Sequence, residues 1–349
     1  MKRNKCIMFM PGSTGGAERM TILIAKTLIQ NNFQVKIVVV DHEKGNIESF
    51  IPKDAEVEFI KCRHISLSIN SIYKCIKRNK PQKVFTSLGH LAPHVLMASK
   101  LCGVPAIIRI DLGLSEIGPV TKFIRSKTYP LAEKIISQTE EMRQEYINVL
   151  GIDEKTIVTL QNPIDKESIA EKLKETVSPY PPSDSVNYLW VGRFHHNKGQ
   201  DVLAKAFSIV AQWIPQSNLY FVGAYKDDDS FYKSVKESIV DIKERVHFVG
   251  FDNNPYRWMK YCDCFVMPSR KEGLPNALIE AMYLGRPVVA TRCIPVIDRL
   301  VDSGRNGIVV PMDDAELLSK AMIDALDLRD CSSNYQSAKE EDYVELFKQ

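Results

Sequence analysis

The alternation of short apolar runs with helical stretches is what most constrains this chain. KCIMFMP is followed by GGAERMTILIAKTLIQNN and then by QVKIVVVD. The rhythm returns through KVFTSL, the helical LAPHVLMASKLCG, PAIIRID, the helical TKFIRSKTYPLAEK and KIISQT. Continuous apolar runs suit strands covered on both faces, and parallel strands need helical crossovers, so the pattern implies a parallel α/β sheet. A second series begins after TIVTLQNPIDKESI and the linker-like SPYPPSDS (Ser178 to Ser185). It runs through VNYLWVGR, the helix GQDVLAKAFSIVAQW, NLYFVGA, a helix near Asp229 to Ile242, VHFVGF, CDCFVMPS, RPVVATR and NGIVVP. A chain of 349 residues has room for two such domains. The expected fold is therefore α/β with two Rossmann-like, doubly wound domains, residues 1–164 and 165–332, joined at QNPID. The final helix, about 333–349, is expected to return to the first domain through Tyr343, Val344 and Phe347.

Composition removes several classes. Hydrophobic residues make up 44% and charged residues 26%, which excludes a wholly disordered or collagen-like chain. No apolar run reaches the ~18 residues of a membrane span. The apolar part of the opening MKRNKCIMFMPGSTGG is only Cys6 to Met10 and leads into a glycine turn, as a first strand does and a signal peptide does not. Eight scattered cysteines suit free thiols. Cys262 and Cys264 have a C-x-C spacing with no second pair or nearby His, and are expected to be structural.

Charge is uneven. Residues 1–165 hold 23 Lys and Arg against 16 Asp and Glu, while the whole chain is only +3. The stretch from Lys61 to Lys83 carries seven basic residues and no acid, with Ile65, Leu67, Ile69, Ile72, Tyr73 and Ile76 interleaved. It fits either an anionic membrane surface or a solvated basic helix. No motif accompanies the charge that would point to nucleic acid.

Every unusual loop follows a strand, where open parallel sheets bind ligands. MPGSTGGAERM carries Gly12, Gly15 and Gly16, which permit close backbone approach to an anion or simply a tight turn. The spacing is not G-x-G-x-x-G and Asp41 lacks the fingerprint before it, so a dinucleotide site is disfavoured. VGRFHHNKGQD places Arg193 and Lys198 in one loop as a candidate diphosphate clamp, with His195 and His196 lining it. Asp227 to Asp229 is expected to be a solvated loop and helix cap, not a metal site. SRKEGLPNALIEAMYLGRP sets Glu272 and Glu280 around a Gly273-Leu274-Pro275-Asn276 turn, with Pro275 in the first helical turn. A helix N-terminus attracts anions, and carboxylates accept paired bonds from sugar diols, so the turn suits a nucleotide sugar; a capped helix with a solvated Glu is the alternative.

Together GGAER, NPID, VGRFHHNKG and EGLPNALIEA, with its Glu, seven residues, Glu, resemble the retaining glycosyltransferases of family 4, whose fold is GT-B, two Rossmann-like domains facing across a cleft. The resemblance covers essentially the whole chain. It implies that Arg193 and Lys198 hold the donor diphosphate, Glu280 the ribose hydroxyls, and Glu272 with Gly273, Leu274, Pro275 and Asn276 the transferred sugar. Gly15 and Gly16 would close over the donor. The family often has a His after the strand that here reads PAIIRIDLG, where this chain has Asp111 flanked by Arg109; a shifted match would put His90 or His94 in that role. The implied activity is a metal-independent hexosyl transfer from a nucleotide sugar, a UDP-sugar by expectation, to a glycan or lipid-linked acceptor in surface-glycan synthesis. No cofactor is implied. The expected location is cytoplasmic, on the anionic inner-membrane surface, through the basic first domain. A nucleotide-sugar epimerase of the same architecture, or a non-catalytic nucleotide-sugar binding protein, would share many of these features.

Overall fold

The structure, a computed structural model, describes residues 4–13, 15–40, 47, 50–62, 68–174, 176–181, 184–333 and 335–348. Two compact units divide the chain: residues 1–163 with 337–349, and residues 164–336.

Among the described residues, the first unit is built on a seven-stranded sheet. Its strands are β1 (Lys5–Met10), β2 (Gln34–Val40), β3 (Glu56–Ile60), β4 (Lys83–Thr86), β5 (Ala106–Arg109), β6 (Lys134–Ser137) and β7 (Ile157–Thr159). They lie in the order β3-β2-β1-β4-β5-β6-β7, all parallel. β1 lies inside the sheet between β2 and β4, and Cys6 to Met10 are sealed from solvent on both faces, which is why its sequence does not alternate. The helix Glu340–Lys348 belongs to this unit and buries Tyr343, Val344, Leu346 and Phe347. The Phe347 ring meets Phe85 at 5.7 Å. Lys83, at the start of β4, donates to the Leu346 carbonyl (3.3 Å) and to Glu133 (2.9 Å), placing a cation at the negative end of the helix.

Within the helix Ile69–Asn79, Ile72, Cys75 and Ile76 are buried in the core of the first unit, and Ile69 and Tyr73 pack against it. Lys83 is buried and paired, and Arg78 pairs with Glu58. Of the two readings of the stretch from Lys61 to Lys83, the described part takes that of a solvated basic helix: Ile69, Ile72, Tyr73 and Ile76 are spent on the fold, because an apolar stripe at helical spacing first covers the sheet behind it. Ile65 and Leu67, like Asp41, lie outside the described residues.

The second unit repeats the plan with β8 (Val186–Val191), β9 (Ser217–Val222), β10 (Val246–Gly250), β11 (Cys264–Met267), β12 (Val288–Thr291) and β13 (Gly307–Val310). Their order is β10-β9-β8-β11-β12-β13, again all parallel. Tyr188 and Trp190 join one core cluster and Leu189 the other, so both faces of the sheet are covered. Cys262 and Cys264 are buried in these clusters, and burial pushes both thiols up. In each sheet the winding reverses beside the first strand, between β1 and β4 and between β8 and β11. The crevice at such a reversal is where the loops spread and a ligand can enter.

Candidate active site

In the second unit, the loop after β8 is pinned by Phe194, whose ring packs against Trp190 (5.7 Å), Phe221 (5.5 Å) and Tyr232 (5.4 Å). Burying Phe194 turns its neighbours outward. The Arg193 side chain is exposed, with no hydrogen-bond or ion-pair partner among the described residues, while its carbonyl accepts from the buried Gln200 amide at 3.2 Å. His195 Nδ1 accepts from the Asn197 N–H (3.1 Å), which starts the single turn His196–Lys198. Gly199 ends the turn at φ +68, where a Cβ would run into the Pro268 carbonyl, so only glycine lets this loop lie against the loop after β11.

That second loop, Pro268 to Pro275, is stitched to the first by Arg270. Its guanidinium grips Asp201 with two bonds (2.9 and 2.8 Å) and also reaches Asp313 (2.7 Å) and the His196 carbonyl (2.7 Å). Burial pushes the Asp201 carboxyl up, but the Arg270 bonds outweigh it and hold the group below its ordinary value. Ser269 is buried; its carbonyl accepts from the Thr291 hydroxyl, and its own hydroxyl donates to Glu272 at 2.7 Å. Held this way, Glu272 meets Lys198, whose Nζ lies 2.7 and 2.8 Å from the two carboxylate oxygens. The Glu272 side chain is 11% exposed and that of Lys198 32%, so the cation is the more open member of the pair.

Gly273, Leu274 and Pro275 are buried in the turn. Pro275 stands at the cap position and not in the first helical turn, so the helix Asn276–Tyr283 begins one residue later than expected. Glu280 lies one turn in from Asn276 and accepts from the Tyr256 hydroxyl at 3.3 Å. Asp229 caps the helix Ser230–Glu237 through the Tyr232 N–H (3.0 Å). Among the described residues no group of three or more His, Cys, Asp or Glu is placed to hold a metal ion.

In the first unit, Gly15 stands at the cap of the helix Gly16–Gln30, in extended backbone, and Ser13 donates to the buried Glu18 of that helix. Asp111 follows β5. It accepts from the Gly89 N–H (3.3 Å) and faces Arg125, whose Nη2 lies 3.6 Å away. Arg125 is buried and also donates to the Tyr146 hydroxyl, which bonds the Leu112 carbonyl at 3.1 Å. Arg109 does not flank this carboxylate: it is buried on Asn162. Strand alternation would put positions 109 and 111 on one face, but β5 ends at Arg109, and Asp111, beyond the strand end, no longer follows that alternation. His90 is exposed in the turn before the helix Ala92–Cys102. His94 is half-buried in that helix, and burial lowers its pKa.

Sequence reasoning missed Ser269, Thr291, Asp201 and Arg270, which position Glu272 and Lys198, and Arg125, which faces Asp111. A serine three residues before the first glutamate was the one local hint.

Two family models match, one in each half of the chain: Glycosyltransferase Family 4 over residues 14–168 and Glycosyl transferases group 1 over residues 185–327. The chain is a glycosyltransferase of the family 4, group 1 type. Its relatives include the Campylobacter jejuni N-acetylgalactosamine-N,N'-diacetylbacillosaminyl-diphospho-undecaprenol 4-alpha-N-acetylgalactosaminyltransferase, 26% identical over 323 residues, 86% of this glycosyltransferase and 84% of that one. The Escherichia coli UDP-Gal:alpha-D-GlcNAc-diphosphoundecaprenol alpha-1,3-galactosyltransferase is 24% identical over 336 residues, 89% of this chain and 85% of that one. Among solved structures, Anabaena HepE in complex with UDP-glucose superposes with a TM-score of 0.75 at 18% identity, over 93% of this chain and 90% of that one. That likeness gives the glycosyltransferase its fold, GT-B. No helix among the described residues is long and apolar enough to cross a membrane.

Proposed function

We propose that this glycosyltransferase is a retaining, metal-independent hexosyltransferase, moving a sugar from a UDP-sugar to a lipid-linked or polysaccharide acceptor in surface-glycan synthesis at the cytoplasmic face of the membrane. The observation that carries the reading is the Lys198–Glu272 pair (2.7 and 2.8 Å), which joins the loops at the carboxyl ends of β8 and β11, with the exposed Arg193 in the loop of Lys198. On this reading Arg193 and Lys198 neutralise the donor diphosphate. Glu272, with the backbone of Gly273 to Asn276, takes the hydroxyls of the transferred sugar, and Glu280 takes those of the ribose. The bond between the anomeric carbon and the diphosphate breaks, the acceptor hydroxyl attacks on the same face, and its proton leaves with the diphosphate. Charge then builds on the departing phosphate, where a cation already held by Glu272, itself fixed by Ser269, costs no reorganisation. Two cations at that position can do the work that a divalent ion does elsewhere.

In the first unit, Gly15 and Gly16 leave room for close approach after β1, and Asp111, fixed by Gly89 and Arg125, is proposed to meet a sugar or acceptor hydroxyl. Residues 165–332 are accordingly proposed as the donor-binding domain and residues 1–164 as the acceptor-binding one. Two relatives named for undecaprenol diphosphate-linked sugars, and the HepE complex with UDP-glucose, support these substrate classes. The test is calorimetric binding of a panel of nucleotide sugars, with chelator and with magnesium, to wild type and Lys198→Ala. Chelator-resistant binding of a UDP-sugar, weakened in the variant, is expected; binding that requires magnesium, or no binding of any nucleotide sugar, contradicts the reading.

A further inference from the structure

At the end of the second sheet away from Lys198 and Glu272, the starts of three strands open onto a surface cavity of about 370 Å³, within the size range of small-molecule sites. Asp184 reaches it from the approach to β8, Gln216 and Asn218 from either side of the residue that opens β9, and Arg245 from the residue before β10. Arg245 sets its shape. Nη1 donates to the Ala211 and Pro215 carbonyls (3.0 and 2.8 Å), which gathers the end of the helix Gln200–Trp213 around the guanidinium. Its Nε and Nη2 have no partner among the described residues, nor do the side chains of Asp184 and Gln216, and Asn218 uses only its oxygen, 3.4 Å from His247. Trp213 stands in the chain between the two carbonyls that Arg245 ties together. It is 76% exposed, whereas Trp190 and Trp258 are buried. An exposed tryptophan alone is ordinary. Beside an unbonded carboxylate, two amides and a guanidinium it has the composition of a sugar site, because a pyranose has an apolar face for a flat ring and a rim of hydroxyls that need both donors and acceptors.

We infer that this cavity is a second, non-catalytic glycan site, which holds a neutral oligosaccharide with one ring on Trp213 and its hydroxyls on Asp184, Gln216, Asn218 and Arg245. The carboxylate accepts paired bonds from neighbouring hydroxyls, while the amides and the guanidinium donate. One anion and one cation select a neutral ligand: a phosphate or an acidic sugar meets Asp184, and an amine meets Arg245. β8 spans six residues, so the cavity stands roughly 20 Å from the loop of Lys198, too far for a sugar ring held here to touch that residue. Its use is to keep a glycan chain beside the enzyme, which raises the effective concentration of the reacting end. The site rests on the proposed transfer to a glycan for that purpose only.

Acrylamide quenching of the tryptophan fluorescence of the full chain tests it, because Trp213 is the tryptophan open to the quencher. The probes are the neutral maltotetraose, mannotetraose and N-acetylchitotetraose, and the acidic tetragalacturonate. At least one neutral oligosaccharide is expected to shield Trp213, and tetragalacturonate is not. In calorimetry with the shielding oligosaccharide, Trp213→Ala and Asp184→Asn should each weaken binding about ten-fold. The circular dichroism of each variant, and its calorimetric binding of the UDP-sugar, should match wild type. Failure of wild type itself to bind any UDP-sugar would count against the transferase reading and leave the oligosaccharide result standing. The inference is overturned if no neutral oligosaccharide shields Trp213, if tetragalacturonate shields it equally, or if folded Trp213→Ala binds the oligosaccharide as wild type does.

Discussion

Glu272 and Lys198 are held by partners that differ in what they can be asked to do. The ammonium is the more exposed member, so its removal should act on the reaction and little on folding. Lys198→Ala is expected to lower kcat by 10²- to 10³-fold, about 3 to 4 kcal/mol of barrier, with a melting temperature near that of wild type; steady-state kinetics beside a thermal melt check this. Ser269 acts only through Glu272, and Ser269→Ala should cost about 1 kcal/mol in donor affinity, the worth of one hydrogen bond, as read by calorimetry. The Asp201–Arg270 bonds give a pH prediction. Because the folded Asp201 carboxyl lies below its ordinary value, the stability it contributes is fully present above about pH 4 and is lost as pH falls through the folded value. Acid unfolding of Asp201→Asn should therefore be less steep than that of wild type below pH ~4. The chemistry-bearing residues were legible because Arg193, Lys198 and Glu272 sit in loops at strand ends, where a charged side chain has no packing role to fill, and Glu280 follows in the helix that the second of these loops opens. Their supports were not. Asp201 and Arg270 are 69 positions apart, and Arg125 reaches the loop residue Asp111 from the helix Pro119–Thr128, pairings that only the folded chain brings together.

Strands were the readable elements, since a strand buried on both faces must be apolar throughout, as at Cys6 to Met10. Helix ends were less so. The expected helix from Asp229 to Ile242 stops at Glu237 and resumes as tighter turns over Val240–Arg245, a break set by local backbone geometry at Ile239 that no proline or glycine announces. On Ile69–Asn79 the sequence left two readings open, and the fold takes the solvated one: interleaved Ile and Lys describe an amphipathic helix equally well whether the sheet or a bilayer takes the apolar side. At the terminal helix the spacing of Tyr343, Val344 and Phe347 pointed to docking, and Lys83 and Gln161 supply the polar fastening through the Leu346 carbonyl and the Tyr343 hydroxyl (3.1 Å). Phe347→Ala empties a buried site beside Phe85. It is expected to cost about 3 to 5 kcal/mol in denaturant unfolding, with the loss confined to the first unit.

Over the whole molecule, one six-strand order is used twice, with β7 added in the first unit, and the two uses carry opposite charge balance. The half that ends at Asp165 carries an excess of Lys and Arg, and the rest an excess of Asp and Glu. The architecture was legible from rhythm alone, whereas the sugar and the acceptor depend on side-chain angles around Glu272 and Asn276 that residue identities do not set. The central claim is transfer with retention by a metal-free cationic site. It is tested most directly by incubating the enzyme with α-configured UDP-sugars and undecaprenyl diphosphate-linked sugars in chelator, and reading the anomeric configuration of the product by NMR. An α-linked product, formed in chelator and lost in Lys198→Ala, is the expected result; a β-linked product, or transfer that appears only when a divalent ion is added, would contradict it.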